Sequence, residues 1–378
     1  MLDVRPTGLP SRVIGHSVFT AFTPETLKDV KGVDMYGARA LAITYPGDVL
    51  QLSPQLSCSA LLTSICRHYE RVGLSVTDQF VFDESLDVFR QFPDHMFDPF
   101  LFNREVGKLT GQEKRARITE WMNDKNNYIN WCIASGIPVP NTKTFSNFHD
   151  FRWTGTEGID FSVAVKAAES ASGMHVIVCK NADQMFDEVR TLPRNEPFQV
   201  QECLPSNTQF CSIQYFVRPD GHYKHGPITI QKIIGTEHNG NIFPVGFSDD
   251  VVDAIGDTIL QHKIKEGFFG HCGFDFAYLD GQVWFIEDNP RNTAVKYYAE
   301  PAERLGAKGW ESEYVHTSHK NFLKIMTERE AWEYSKEKGY GIVIISWATI
   351  VAGKLGVLVL GTDEQRQETL ETFRSIVA

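Results

Sequence analysis

Two carboxylates, an amide and a guanidinium stand close together in the segment GFDFAYLDGQVWFIEDNPRNTA, residues 273–294. Asp275 lies in one run of apolar residues, Glu287 and Asn289 in the next, with Asp280-Gly281 between them. Asp-Gly between two such runs signals a hairpin, because tight turns need residues that tolerate positive φ. Side chains alternate along a strand, so Glu287 and Asn289 share a face. Loop length decides whether Asp275 joins them. A two-residue loop pairs Leu279 with Gln282 and Asp275 with Ile286, which sends Asp275 to the opposite face. A three-residue loop, Leu279 to Gly281, pairs Asp275 with Phe285 and brings Asp275, Glu287 and Asn289 onto one face; this loop, with Gly in the left-handed position, is common. Oxygen ligands so placed suit a hard cation, above all Mg²⁺ held with phosphates, with Mn²⁺ as a substitute. The bland alternative is an edge hairpin with a solvated polar face. Phe274, Phe276, Phe285 and Ile286 argue for burial, and buried acids need a cation or other partners.

Elements that could hold this hairpin are legible on both sides. Before about Glu120 there are two short strand patterns, Ala40 to Tyr45 and Val49 to Leu52, an amphipathic helix from Leu61 to Val72, and an irregular or short-helical stretch from Asp83 to Glu105. Asn123 or Asp124 caps a helix with Tyr128, Trp131 and Cys132 on its apolar face. Gly136 ends it, and Pro138 and Pro140 keep the chain extended. Phe161 to Lys166 alternates like a strand, Ala167 to Gly173 is a turn of small residues, Met174 to Cys179 is a strand, Asp183 to Thr191 a helix and Phe198 to Leu204 a strand, together a compact α+β unit. Gln209 to Val217 and Pro227 to Ile234 read as strands, and Asp249 to Glu266 as a helix. Ile342 to Val351 and Leu355 to Leu360 are strands. A last helix starts at Thr362, where Gln365 completes a capping box and Leu370, Phe373 and Val377 face inward. Lys166, inside VAVKAA, must snorkel or find an anion. Lys232 is evenly balanced between a salt bridge and a role in a site, and Lys125 by itself reads as a surface lysine.

With 378 residues, two or three subdomains are expected. Lys plus Arg number 37 against 48 Asp plus Glu, a net charge of −11, and there is no basic run, so nucleic-acid binding is not expected. The cysteines number seven, an odd count without a CxxC, which fits a reducing cytosol and neither a disulfide scaffold nor a zinc finger. MLDVRPTGLPSR carries charges and prolines in place of an apolar signal core. The apolar stretch Tyr340 to Gly361 is broken by Gly353, Lys354 and Gly356 and reads as two buried strands, not a bilayer span. A soluble, cytoplasmic protein without membrane partners is the expectation.

Glu287-Asp288-Asn289-Pro290-Arg291 resembles the E-x-N-P-R signature of the ATP-grasp superfamily, which includes biotin carboxylase and D-alanine–D-alanine ligase. Other marks follow in the family's order from about Asn123 to Thr293. Asp124-Lys125 with the later GIPVP resembles the first ATP lysine and its exit. VAVKAAESASGMHV resembles the lid, PFQVQECL the hinge strand, and Gln231-Lys232 a polar pair near the phosphates. The resemblance implies that Lys125 and Lys166 contact phosphates, that the Ala167–Gly173 turn with Ser172 and Gly173 closes over them, and that Gln201 reaches the adenine amine. It further implies that the main chain of Glu202 and Leu204 bonds the ring, that Gln209 stands where relatives often place a ribose-binding acid, that Asp275, Glu287 and Asn289 hold Mg²⁺, and that Arg291, with Lys232, serves catalysis.

The implied fold is α/β and α+β: an N-terminal α/β domain over 1–120, an ATP-grasp region over 121–300 with a lid at about 148–203, and residues 301–378 completing the larger antiparallel-sheet domain. The implied activity is ATP-dependent ligation of a small-molecule carboxylate, an amino acid or peptide, to an amine through an acyl phosphate. Bicarbonate activation or phosphorylation on the same fold is the first alternative, and a non-catalytic ATP-binding module the second. A homodimer is compatible with either.

Overall fold

The computed structural model describes residues 10–15, 31–57, 59–154, 160–169, 176–192, 194–247 and 250–378. The chain divides into two units: Met1–Phe102, Asn239–Pro244 and Asn292–Ala378 form one, Asn103–His238 and Val245–Arg291 the other.

The first unit opens with a parallel sheet of β1 (Arg12–Gly15), β2 (Val49–Gln51), β3 (Gln79–Val81) and β4 (Met96–Pro99) in the order β3-β2-β1-β4. The helix Ala60–Val72 is capped by the Ser59 side chain and ended by Gly73 at φ 90°; its Leu62, Ile65, Tyr69 and Val72 are buried. The expected strand over Ala40 to Tyr45 is instead the end of a 3-10 helix, Val33–Ile43, closed by the Thr44 hydroxyl donating to the Leu41 carbonyl at 2.8 Å. A short run of apolar residues buried throughout, as Ala40 to Ile43 are, carries no period to tell strand from helix.

In the second unit, β5 (Thr142–Phe145), β6 (Val163–Ala167), β7 (Val176–Cys179) and β8 (Phe198–Glu202) form a sheet in the order β5-β8-β6-β7. One face packs Phe145, Val163, Val165, Phe198 and Val200 with Phe151, Met185 and Val189. Alternation sends Lys166, Gln199 and Gln201 to the other face. The expected lid at about 148–203 covers β6, β7 and β8 of this sheet, and β5 precedes it. Ser172, Gly173 and most of the small-residue turn lie outside the described residues.

β9 (Gln209–Val217) and β10 (Tyr223–Ile234) follow, then β11 (Glu237–Phe243), β12 (Gly270–Leu279) and β13 (Gln282–Asn289). Within the second unit the order is β13-β12-β9-β10, all antiparallel. The apolar face carries Cys211, Ile213, Phe274, Phe276 and Phe285, covered by Tyr128 and Cys132 from the helix Lys125–Ala134 and by Val252, Ile259 and Leu260 from the helix Asp250–Lys265.

The C-terminal segment, expected to complete the larger domain, shares the core of the first unit. β14 (Trp310–His316), β15 (Gly341–Ser346) and β16 (Lys354–Leu360) are antiparallel, with β16 between the other two. The expected strand end after Ser346 is a 3-10 turn, Ala348–Ala352. The last helix, Asp363–Val377, has the expected capping box at Thr362 and Gln365, and Leu370, Phe373 and Val377 are buried. Among the described residues no helix is long and apolar enough to cross a membrane.

One ionic cluster, buried at His68 and exposed at Arg71, ties the Ala60–Val72 helix to the C-terminal segment. The Ile344 amide donates to His68 Nε2 at 3.0 Å, so Nδ1 carries the proton and donates to Glu333 at 2.6 Å, while Arg71 donates to both Glu333 oxygens at 2.7 and 2.9 Å. Burial alone would raise the Glu333 carboxyl; the hydrogen bonds from His68 and Arg71 outweigh it and hold the group at about 2. A carboxyl depressed on folding contributes stability that is present above its unfolded value near 4.5 and lost as pH falls through the folded one. Urea midpoints at pH 5, 4, 3 and 2 should therefore separate wild type from Glu333→Gln at pH 5 and converge towards pH 2. A pH-independent difference would contradict this role.

Candidate active site

The turn of the β12–β13 hairpin has two residues. Asp280 and Gly281 take φ of 49° and 85°, and Leu279 pairs with Gln282. The three-residue loop is thus corrected, yet Asp275 does not face away from Glu287. The register shifts between Asp275 and Phe276: Phe276 pairs with Phe285 and Asp275 with Glu287, leaving Ile286 as the extra residue of a β-bulge. Cross-strand partners share a face, so Asp275 and Glu287 stand side by side. Asn289 joins them, its amide donating to Asp275 Oδ2 at 3.0 Å.

The next two strands extend this polar face. Ser212 on β9 pairs with Asp275, and Thr229 on β10 pairs with Ser212. Ser212 and Gln231 both hydrogen-bond Asp275. Burial and the adjacent Glu287 push the Asp275 carboxyl up to about 7, against the pull of Ser212, Arg291 and Gln231. A cation on this face would offset both causes, and the donor set of two carboxylates and an amide oxygen fits Mg²⁺.

Three basic residues border the acids. Lys125 Nζ lies 3.5 Å from Glu287 Oε2, and Arg291 Nη2 3.8 Å from Glu287 Oε1. Arg291 also donates to the Asn123 side-chain oxygen. Asp124, not Asn123, caps the helix that starts at Lys125, accepting from the Asn127 amide at 2.9 Å. The Lys125 amide donates to the Ala168 carbonyl at 3.0 Å, which hooks the helix start to the strand carrying Lys166. Burial pushes Lys166 down to about 8, with Glu287 opposing and Lys125 adding to the fall. Its Nζ donates to Gln201 Oε1 at 2.6 Å, and Gln201 Nε2 donates to Thr142 Oγ1 at 2.9 Å.

The remaining expectations divide. The Glu202 amide is already bonded to the Asn141 carbonyl at 2.9 Å, and its side chain accepts from the Asn141 amide at 2.7 Å. That leaves its carbonyl, with Leu204 next but one, as the main-chain groups for a ring. Gln209 is exposed at the start of β9. Lys232 follows Gln231, and the pleat turns it away from Asp275, to the side of Ile228 and Ile230.

Sequence reading missed Asn123, Ser212 and the pair Lys263–Asp288. Lys263 Nζ meets both Asp288 oxygens at 2.7 and 2.8 Å, both side chains fully buried. Asp288 pairs with Phe274 across the hairpin, on the apolar face. Burial pushes its carboxyl up to about 6, with Lys263 opposing.

No protein-family model matches the chain, and no curated protein does. Solved structures do. N5-carboxyaminoimidazole ribonucleotide synthetase from Thermus thermophilus superposes with a TM-score of 0.63 at 13% identity over 97% of this chain and 98% of its own. N5-carboxyaminoimidazole synthetase from Staphylococcus aureus, complexed with ADP, gives 0.63 at 11% over 99% of both chains. Biotin carboxylase from Campylobacter jejuni, in an ATP complex, gives 0.58 at 12% over 93% of this chain and 87% of its own. Strand order, hairpin and neighbours agree: the chain has the ATP-grasp fold.

Removing one partner of the Lys263–Asp288 pair leaves a bare buried charge. Lys263→Met should cost about 3–5 kcal/mol of unfolding free energy, and Lys263→Met with Asp288→Leu should recover most of it. A single variant within about 1 kcal/mol of wild type in chemical denaturation would show that the pair does not hold β13.

Proposed function

We propose that the protein is an ATP-dependent ligase that joins a small carboxylate, from an amino acid or peptide, to an amine. The carboxylate attacks the γ-phosphorus of ATP, the bond to the β–γ bridging oxygen breaks, and ADP leaves. The amine then attacks the acyl carbon and phosphate departs with the C–O bond, leaving an amide and a proton. The main support is the shared face of Asp275, Glu287 and Asn289 with Lys125 and Arg291 against Glu287, because pure nucleotide binding needs fewer groups.

Asp275, Glu287 and Asn289 would hold Mg²⁺, which supplies charge neutralisation to the phosphates. Lys125 and Lys166 would contact phosphate oxygens as point charges. Lys166 would exchange its bond to Gln201 for one to a phosphate, freeing the Gln201 oxygen for the adenine amine. Arg291, held by Asn123, would stabilise charge on the transferred group. Gln209 would contact ribose, more weakly than an acid, and Ser172 and Gly173 would contact the phosphates. No residue is assigned as general base.

A second reading is favoured by the names of the neighbours. Two are carboxyaminoimidazole synthetases and one a biotin carboxylase, so bicarbonate is a candidate for the carboxylate. ADP release screened with amino-acid pairs and with bicarbonate plus amines separates the readings, and no ATP turnover with any partner would contradict both. Glu287→Gln should nearly abolish turnover with the fold intact. Lys166→Ala should weaken ATP binding by about 1–3 kcal/mol, a lost charge-assisted hydrogen bond. Arg291→Ala should lower kcat with little change in nucleotide affinity. Calorimetry and steady-state kinetics on the variants check all three, and an Arg291→Ala enzyme that loses ATP affinity but keeps its kcat would reverse the assigned role.

A further inference from the structure

We propose that Thr142 is a positioning residue that sets the base preference of the nucleotide site: its hydroxyl holds the Gln201 amide with the oxygen turned to the base, so that a 6-amino purine is accepted and a 6-oxo purine refused. That a nucleotide binds there at all rests on the ATP-dependent reading above, in which Thr142 has no part.

Three side chains and one carbonyl form an unbroken chain of hydrogen bonds inside the second unit. Lys166 Nζ donates to Gln201 Oε1 at 2.6 Å, Gln201 Nε2 donates to Thr142 Oγ1 at 2.9 Å, and the Thr142 hydroxyl donates to the Pro140 carbonyl at 2.7 Å. The direction of this chain is fixed at both ends, because a lysine ammonium only donates and a carbonyl only accepts. The threonine hydroxyl has one proton, already given to Pro140, so towards Gln201 it can only accept. The amide must therefore point its nitrogen at Thr142 and its oxygen at Lys166.

The chain sits on a tied frame. Thr142 on β5 is the cross-strand partner of Gln201 on β8, and such partners share a face. Beside them the Glu202 amide donates to the Asn141 carbonyl at 2.9 Å, and the Asn141 amide donates to the Glu202 carboxylate at 2.7 Å. Gln201 is 3% exposed, and Thr142 is β-branched, which limits the rotamers open to its hydroxyl. A buried amide whose nitrogen is satisfied does not turn over without losing that bond.

The consequence comes with the nucleotide. Lys166 would leave Gln201 for a phosphate, and Thr142 alone would then define the amide. A 6-amino group donates to the oxygen so presented. A 6-oxo group sets two acceptors against each other, and a site built for one hydrogen bond rejects an analogue that cannot make it. Without the Thr142 hydroxyl neither end of the amide has a preferred place, and its NH₂ can turn to a 6-oxo group. A cross-strand pair that only stabilised the sheet would leave base choice alone.

Calorimetry on the intact protein measures binding of the β,γ-imido analogues of ATP and ITP with Mg²⁺. It is run at pH 7, below the value of about 8 to which burial pushes Lys166, so that the lysine is an ammonium. The proteins are wild type, Thr142→Val, Thr142→Ser, Gln201→Glu and the double variant Gln201→Glu with Thr142→Val. The readout is the ratio of the two affinities; main-chain contacts to the base are common to all the proteins, so a change in ratio reports the residue 201 side chain. Wild type should favour the ATP analogue about tenfold or more. Thr142→Val should lower that ratio about tenfold, and Thr142→Ser, which keeps the hydroxyl, should preserve it. A carboxylate presents an oxygen whichever way it turns, so adding Thr142→Val to Gln201→Glu should leave the ratio unchanged. An unchanged ratio in Thr142→Val overturns the proposal and leaves the nucleotide site standing. So does an equal loss on adding Thr142→Val to Gln201→Glu, or a wild type without base preference. Thr142→Ala takes the place of Thr142→Val should that variant fail to fold. A wild type that binds neither analogue removes the ATP reading and this role with it.

Discussion

One extra residue in one strand decides where the acids go. With its two-residue turn, an unbroken β12–β13 hairpin would place Glu287 on the face of Phe285, inside the apolar core. Ile286 interrupts the alternation. Beyond it Glu287 and Asn289 turn to the face of Asp275, and Asp288 turns into the core. A one-residue change of register exchanges the two faces of a strand, and here the exchange concerns only the last residues of β13. The same bulge therefore creates two charged sites at once: the acidic face and the buried Asp288.

Each site then needs its own counter-charge, and the helices supply it. Lys263, late in the helix Asp250–Lys265, meets Asp288 inside the core. Asp288 is thereby anchored between Glu287 and Asn289, and the backbone on both sides of it is held while those two side chains face the opposite way. On that other face the helix Lys125–Ala134 brings Lys125 to Glu287, and the preceding Asn123 receives Arg291. Burial and the adjacent Glu287 raise Asp275 to about 7, and Arg291 offsets them only in part. The remaining demand for positive charge is the physical case for a divalent cation there.

Much of this was legible in the sequence. Asp280-Gly281 marked the hairpin, and the helix before GIPVP and the strands β6 to β8 were visible from caps, glycines and alternation. The bulge was not, because Phe285, Ile286 and Glu287 form no pattern that distinguishes a regular strand from a bulged one; the acids reach one face by a different route from the three-residue loop. Gln231 and Lys232 are adjacent polar residues in an apolar strand, and only the register of β10 on β9 turns Gln231 towards Asp275. Lys263 is one of several charges near the end of a helix, and its partner is remote in sequence. The Ala40 to Ile43 run is buried on all sides and so had no period to read. The union of the C-terminal segment with the first unit's core is a tertiary fact, carried by long-range contacts such as His68 with Glu333.

We propose that the Asp275–Glu287 face is a cation site that completes a nucleotide site. Its most direct test is calorimetric titration of a non-hydrolysable ATP analogue into the protein with Mg²⁺, with Mn²⁺, and with a chelator and no divalent ion. Affinity should fall about tenfold or more without the metal, with Mn²⁺ restoring it. Equal affinity in all three conditions would contradict it.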